Sequence, residues 1–197
     1  MKTFLSQTEL RWLWALKQGL GDPYKLHQWI WDTLPDAPDT KRDFLFRFDV
    51  LDHTLRILLL SERIPDNGNE VTWKTTEVSS SFLGHGTYRF QLRANPTFRR
   101  AADHRRLAIF DEEKIREWFM RKFSDAGCEV LSLETTAPRR LQFRKGNEQH
   151  LGTIYSVDAS GVLIVNDEAA FRAAFDTGIG PAKGFGFGLL LLQPIQL

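Results

Sequence analysis

The stretch "RDFLFRFDVLDHTLRILLLSER" sets the tightest limit on what this chain can become. Two alternating runs flank Asp52-His53, and period-two alternation of aromatic and branched residues around a short turn is the signature of an antiparallel strand pair. Such a pair gathers apolar side chains on one face of a sheet, and that face must be covered. The same patterning predicts strands near Thr3 to Leu10 and in "VTWKTTEV", "TYRFQLRANP", "EVLSLET", "RLQFRK", "GTIYSVD", "GVLIVND" and the terminal "LLLLQPI". In "TYRFQLRANP", Tyr88, Phe90 and Leu92 share one face while Arg89, Gln91 and Arg93 share the other.

Helix signals are fewer. In "DPYKLHQWIWDTLP", Asp22 is a good N-cap and Pro23 suits the first helical position. Leu26, Trp29, Ile30, Thr33 and Leu34 then form the buried stripe, and Lys25, Gln28 and Asp32 the wet face. A second helix is expected from Asp111, with acids in its first turn, to Gly127; a third, "EAAFRAAFDTG", is capped by Asn166 or Asp167. Single helices among antiparallel strands make the fold α+β rather than a parallel series. Two βαββαβ halves in tandem fit the order, as residues 1–98 and 99–197, the first half having a weak or missing second helix.

Size and charge exclude some functions. With 197 residues, 42% of them hydrophobic, the chain can bury a real core, and no apolar run approaches the ~20 residues of a membrane helix. "MKTFLSQTEL" breaks off before a secretory apolar region develops, and the lone Cys128 excludes an internal disulfide; a cytoplasmic protein with no membrane partner is expected. A net charge of +1 gives no general attraction for polyanions, so any such binding requires segregated charge. Arginines do cluster, at Arg89, Arg93, Arg99, Arg100, Arg105 and Arg106, and again at Arg139, Arg140 and Arg144 with Lys145. His53, His85, His104 and His150 form no metal-ligand spacing, so no catalytic metal and no cofactor are expected.

The glycine-rich "GIGPAKGFGFG" fails as a phosphate P-loop, because Lys183 is followed by Gly184 and Phe185. It fails as a dinucleotide fingerprint too, since it follows a helix and precedes a strand. Gly178 ends a helix, and the bare backbone around Gly180, Gly184 and Gly186, with Lys183, is open to a phosphate chain. On the helix beginning at Asp22, Tyr24, His27 and Trp31 lie along one border of the buried stripe. Local physics leaves His27 either a half-buried boundary residue or a functional one.

Taken in order, "YKLHQ", "RDFLFR", "FQLRANP", "GVLIVND" and "GIGPAKGFGFGLLLL" resemble the CasE family of CRISPR repeat-RNA endoribonucleases of the type I-E Cascade complex. The likeness runs from about Tyr24 to Leu192. It implies two ferredoxin-like, RAMP-type domains and metal-independent cutting of precursor CRISPR RNA at the base of the repeat stem-loop. It also implies retention of the product alongside the other Cascade subunits. In such proteins the histidine of Tyr-x-x-His is catalytic and the tyrosine assists, which assigns those roles to His27 and Tyr24. An imidazole with a pKa near 6.5 can serve as acid for the leaving oxygen or as base for the 2′-hydroxyl. RNA contacts are expected first from Arg139, Arg140, Arg144 and Lys145. Arg93, Arg99, Arg100, Lys183 and the glycine-rich backbone come next, Arg93 having a structural role as its alternative. Two rival functions stay open: a hairpin-binding Cascade subunit without cleavage, and an unrelated enzyme acting on nucleotides.

Overall fold

The computed structural model describes residues 2–35, 42–68, 71–144 and 151–196. The opening strand pair forms as the alternation demands. Strands β1 (Phe4–Arg11), β2 (Phe44–Leu51), β3 (Thr54–Ser61) and β4 (Lys74–Glu77) make an antiparallel sheet in the order β2-β3-β1-β4. One face, carrying Leu10, Phe44, Phe46, Leu55, Ile57 and Leu59, is covered by α1 (Trp12–Lys17) and α2 (Pro23–Thr33) through Ala15, Leu26 and Ile30. No helix forms between β3 and β4 among the described residues. The tryptophan-rich "RWLWALKQGLG" supplies α1, a short helix before the capped one.

The second sheet is built from β5 (Thr87–Ala94), β8 (Cys128–Thr135), β10 (Leu151–Val165) and β11 (Leu190–Pro194), in the order β11-β5-β10-β8. Between them run the small hairpin β6 (Thr97–Arg99) and β7 (Arg106–Ala108), α3 (Glu112–Asp125), β9 (Arg139–Arg144) and α4 (Glu168–Thr177). The caps are the expected ones: Asp111 accepts from Lys114 N–H, and Asp167, rather than Asn166, accepts from Ala169 and Ala170. In the order of their occurrence, both sheets place their four strands as fourth, first, third and second when each is followed from the appropriate edge: β4-β1-β3-β2 and β11-β5-β10-β8. The molecule is α+β with two antiparallel sheets.

Two expectations change. A break at 98/99 puts "TYRFQLRANP" in the first half, yet β5 is an interior strand of the second sheet, paired with β10 and β11. Sheet membership therefore changes between Glu77 and Thr87, because a strand's partners are chosen by distant residues that local alternation does not reveal. "GTIYSVD" and "GVLIVND" are one strand, β10, rather than two. Its second half lies within the sheet, with a register shift against β8 between Val162 and Leu163, and its first half leaves the sheet to pair with β9.

The sheets are joined through an apolar cluster that runs from Leu45 and Leu60 of the first sheet to Tyr88, Phe90, Phe119 and Phe171 of the second half. No helix among the described residues is long and apolar enough to cross a membrane.

Candidate active site

The α2 helix starts where its sequence says it should. Asp22 Oδ1 accepts the Tyr24 N–H at 2.8 Å, which satisfies one of the donors a helix start leaves open. Leu26 and Ile30 are fully buried, and His27 and Trp31 fall on the border of that stripe. Beneath them the alternation of β2 brings Phe44, Phe46 and Phe48 to one face. The His27 ring stacks on Phe44 with centroids 5.2 Å apart and reaches Phe46 at 6.1 Å, while Trp31 meets it edge-on at 6.2 Å. Its Nδ1 is buried with no hydrogen-bond partner among the described residues. Burial, and then the nearby Arg42 cation, hold the His27 pKa below its ordinary value, which favours the neutral imidazole. Tyr24 is partly exposed one turn earlier on the same border.

The glycine-rich segment closes a second side of this site. After α4 it turns through a single 3-10 turn, Lys183–Phe185, and lies against α2 and β2. Gly186 has φ +86°, and a Cβ there would stand 2.9 Å from the Phe48 ring, so only glycine lets the loop rest on the strand. Gly180 faces the Trp118 ring, 2.8 Å from where its Cβ would be. Of the three glycines expected at an RNA phosphate, Gly184 alone borders the histidine: a Cβ on it would lie 3.5 Å from Arg42 Nη1 and 4.0 Å from His27 Cε1. Lys183 donates to the Thr177 carbonyl at 2.6 Å, at the end of α4. Its pKa is lowered by burial and then by the Arg42 and Lys122 charges.

The third side is the hairpin made by β9 and the outer half of β10. Phe143 of β9 packs on Phe185 of the glycine-rich segment with centroids 4.2 Å apart. The Arg144 N–H donates to Asp22 Oδ2 at 2.8 Å, so the cap of α2 also holds the hairpin. Arg139, Arg140 and Arg144 are exposed on it; Lys145 and His150 lie outside the described residues. Arg99 and Arg100 are exposed on the β6–β7 hairpin, where Arg100 is paired with Asp103.

Arg93 belongs to a different structure. Its side chain is only 15% exposed and donates to Asp158 Oδ1 at 2.7 Å, Asp49 Oδ1 at 2.9 Å and the Phe48 carbonyl at 2.6 Å. Those bonds tie β5 and β10 of one sheet to β2 of the other, which makes its structural alternative the better account. Arg47 and Arg56 also reach Asp49, and Arg139 reaches Asp158. Burial pushes the Asp49 pKa up, but the Arg47 and Arg93 charges and hydrogen bonds outweigh it and hold the carboxyl below its ordinary value.

Sequence reasoning passed over Arg42 and the rings under the imidazole. The alternation of "FLFRF" could have identified Phe44 and Phe46 as one face. For Arg42, a basic residue just ahead of a strand, no periodic signal exists. Among the described residues no three His, Cys, Asp or Glu side chains come together as a metal site requires.

A family model described as "CRISPR associated protein" matches residues 3–194. The Cascade subunit CasE of Escherichia coli K12 is 32% identical over 190 residues, which cover 88% of this chain and 93% of that protein. The CRISPR-associated endoribonuclease Cse3 of Thermus thermophilus is 24% identical over 198 residues, 91% of this chain and 94% of its own. Among solved structures, Cse3 bound to a 19-nucleotide RNA superimposes with a TM-score of 0.86 at 24% identity, covering 98% of this chain and all of that one.

Proposed function

This chain belongs to the CasE/Cse3 family of CRISPR-associated endoribonucleases, and from that premise we propose that it cuts precursor CRISPR RNA at the base of the repeat stem-loop and keeps the product within Cascade. Its two sheets are the cores of two ferredoxin-like halves, the first showing no second helix among the described residues. The observation that carries the reading is the His27 imidazole stacked on Phe44 and bordered by Gly184, with the Arg42 guanidinium at the same glycine.

In the proposed reaction His27 takes the proton of the RNA 2′-hydroxyl. The 2′-oxygen then forms its bond to the adjacent phosphorus as the bond to the 5′-oxygen breaks, leaving a 2′,3′-cyclic phosphate and a 5′-oxygen that takes a proton from water; the protonated His27 then returns its proton to the hydroxide so formed. A base works best when its neutral form is populated, and the lowering of the His27 pKa by burial favours that form. Tyr24, on the same border of α2, orients the phosphate. No metal is needed if the protein moves the proton and holds the atoms in line. The stem is held through its shape and phosphates by Arg139, Arg140 and Arg144, with Arg99 and Arg100 further along, because the groove of an RNA duplex offers side chains little else.

The test incubates the protein with a repeat hairpin in EDTA, beside a copy with deoxyribose at the scissile position. The reading requires cutting of the first and none of the second. Loss of activity in EDTA, or cutting of the deoxy copy, overturns the mechanism; tight binding without cutting identifies a retaining subunit only.

A further inference from the structure

Arg42 and His27 both border Gly184 beside α2, and the Lys183 ammonium, held at the end of α4, lies within the field of the same guanidinium. Arg42 stands just ahead of β2, and its pKa is lowered by burial. The Arg42 charge in turn lowers the pKa of His27 and of Lys183, so both lie within its field. Among the described residues no carboxylate forms an ion pair with Arg42, His27 or Lys183; the ion pairs of β2 gather at Asp49 on its other face. The partly buried Arg42 guanidinium is a cation whose desolvation an adjacent anion would offset.

The space for an anion lies at Gly184. Its backbone does not have the positive φ of Gly186, and a Cβ there would make only ordinary contacts, 3.5 Å from Arg42 Nη1 and 4.0 Å from His27 Cε1. Neither chain geometry nor core packing therefore accounts for a glycine at this position. Any larger side chain would project between the guanidinium and the imidazole.

We propose that Arg42 grips the phosphate under attack, seated over the open face of Gly184 between the Arg42 guanidinium and the His27 imidazole. The assignment rests on the endoribonuclease reading and adds to it a cation on the scissile phosphate. The planar guanidinium donates to the non-bridging oxygens and stabilises the charge that grows on them as the 2′-oxygen bonds to phosphorus. It also fixes the phosphodiester at a constant distance from the proton acceptor.

The experiment compares the unsubstituted protein with Arg42→Ala and Arg42→Lys under single turnover. The substrates are the repeat hairpin and its two phosphorothioate diastereomers at the scissile position. Arg42→Ala is expected to slow cutting about a hundredfold with hairpin affinity within about threefold, and Arg42→Lys to recover part of that loss. One diastereomer is expected to be cut slowly by the unsubstituted protein, and the difference between diastereomers to disappear in Arg42→Ala, since the contact that senses the sulfur is gone. The acid limb of the subsaturating rate constant moves to higher pH in Arg42→Ala, because His27 loses a neighbouring cation. Gly184→Leu, which fills the proposed seat, abolishes cutting while thermal unfolding stays close to that of the unsubstituted protein. Cutting by Arg42→Ala at the original rate, or an undiminished preference between diastereomers, overturns the assignment and leaves the endoribonuclease reading intact. Failure of the unsubstituted protein to cut the hairpin overturns both.

Discussion

Two groups of basic side chains lie on either side of β2, and they are built on opposite principles. On the face toward the second sheet, Arg93, Arg47 and Arg56 surround Asp49, and Arg93 also holds Asp158, so each cation has a carboxylate partner. On the face toward α2, Arg42 stands near His27 and Lys183, and no carboxylate pairs with any of the three among the described residues. The first group is complete within the protein and holds two sheets together. Under the proposed function the second is completed by a phosphate of the RNA. Pairing together with burial marks Arg93 as structural, whereas Arg100 and Arg139 are paired with carboxylates yet stay exposed on their hairpins.

That contrast can be broken by substitution. His27→Ala is expected to reduce hairpin cutting by about 10²- to 10⁴-fold while leaving affinity and the urea midpoint nearly unchanged; an equal loss of binding would make His27 a binding residue. Arg93→Ala should do the reverse. It leaves Asp49 and Asp158 short of a partner at the join between sheets, and should cost about 3 kcal/mol, read as a lower urea midpoint with an unchanged slope. The remaining native fraction should cut at the normal rate. Should Arg93→Ala remove cutting without affecting stability, the division between the two groups fails.

The pH dependence gives a third comparison. Asp49 has a folded-state pKa below its unfolded value, so it contributes stability that is present above about pH 4 and lost as pH falls through the lower folded value. Stability should decline with acid below about pH 4, and Arg93→Ala should flatten that decline. A smaller effect separates two arginines of the hairpin. Arg140 makes no ion pair among the described residues, whereas Arg139 is already paired with Asp158. Arg140→Ala is expected to lower the slope of log affinity against log salt by about 0.9, the release of one phosphate contact, and Arg139→Ala by less. Equal slopes for both variants would show that the Asp158 pair yields to RNA.

The legible parts of this molecule are those decided over a few residues. Asp22, Pro23 and the stripe Leu26 to Ile30 define α2, Asp111 and Gly127 bound α3, and alternation around Asp52-His53 specifies the β2–β3 pair. Assignments that depend on distant partners are illegible. β5 has a regular alternation whichever sheet it joins, and only its bonds to β10 and β11 place it. The candidate site follows the same rule. His27 and Tyr24 can be singled out on one helix, but the convergence of Arg42 and Gly184 on that histidine joins segments more than 140 positions apart.

The carboxylate of Asp22 bonds both the start of α2, at Tyr24 N–H, and the end of β9, at Arg144 N–H. Under the proposed function, one end of that connection carries the proton acceptor and the other the arginines that hold the stem. The protein then works as a ruler: the cut is made at a set distance from the foot of the duplex, and changing the bases at the cleavage position should matter less than lengthening the stem by a single pair.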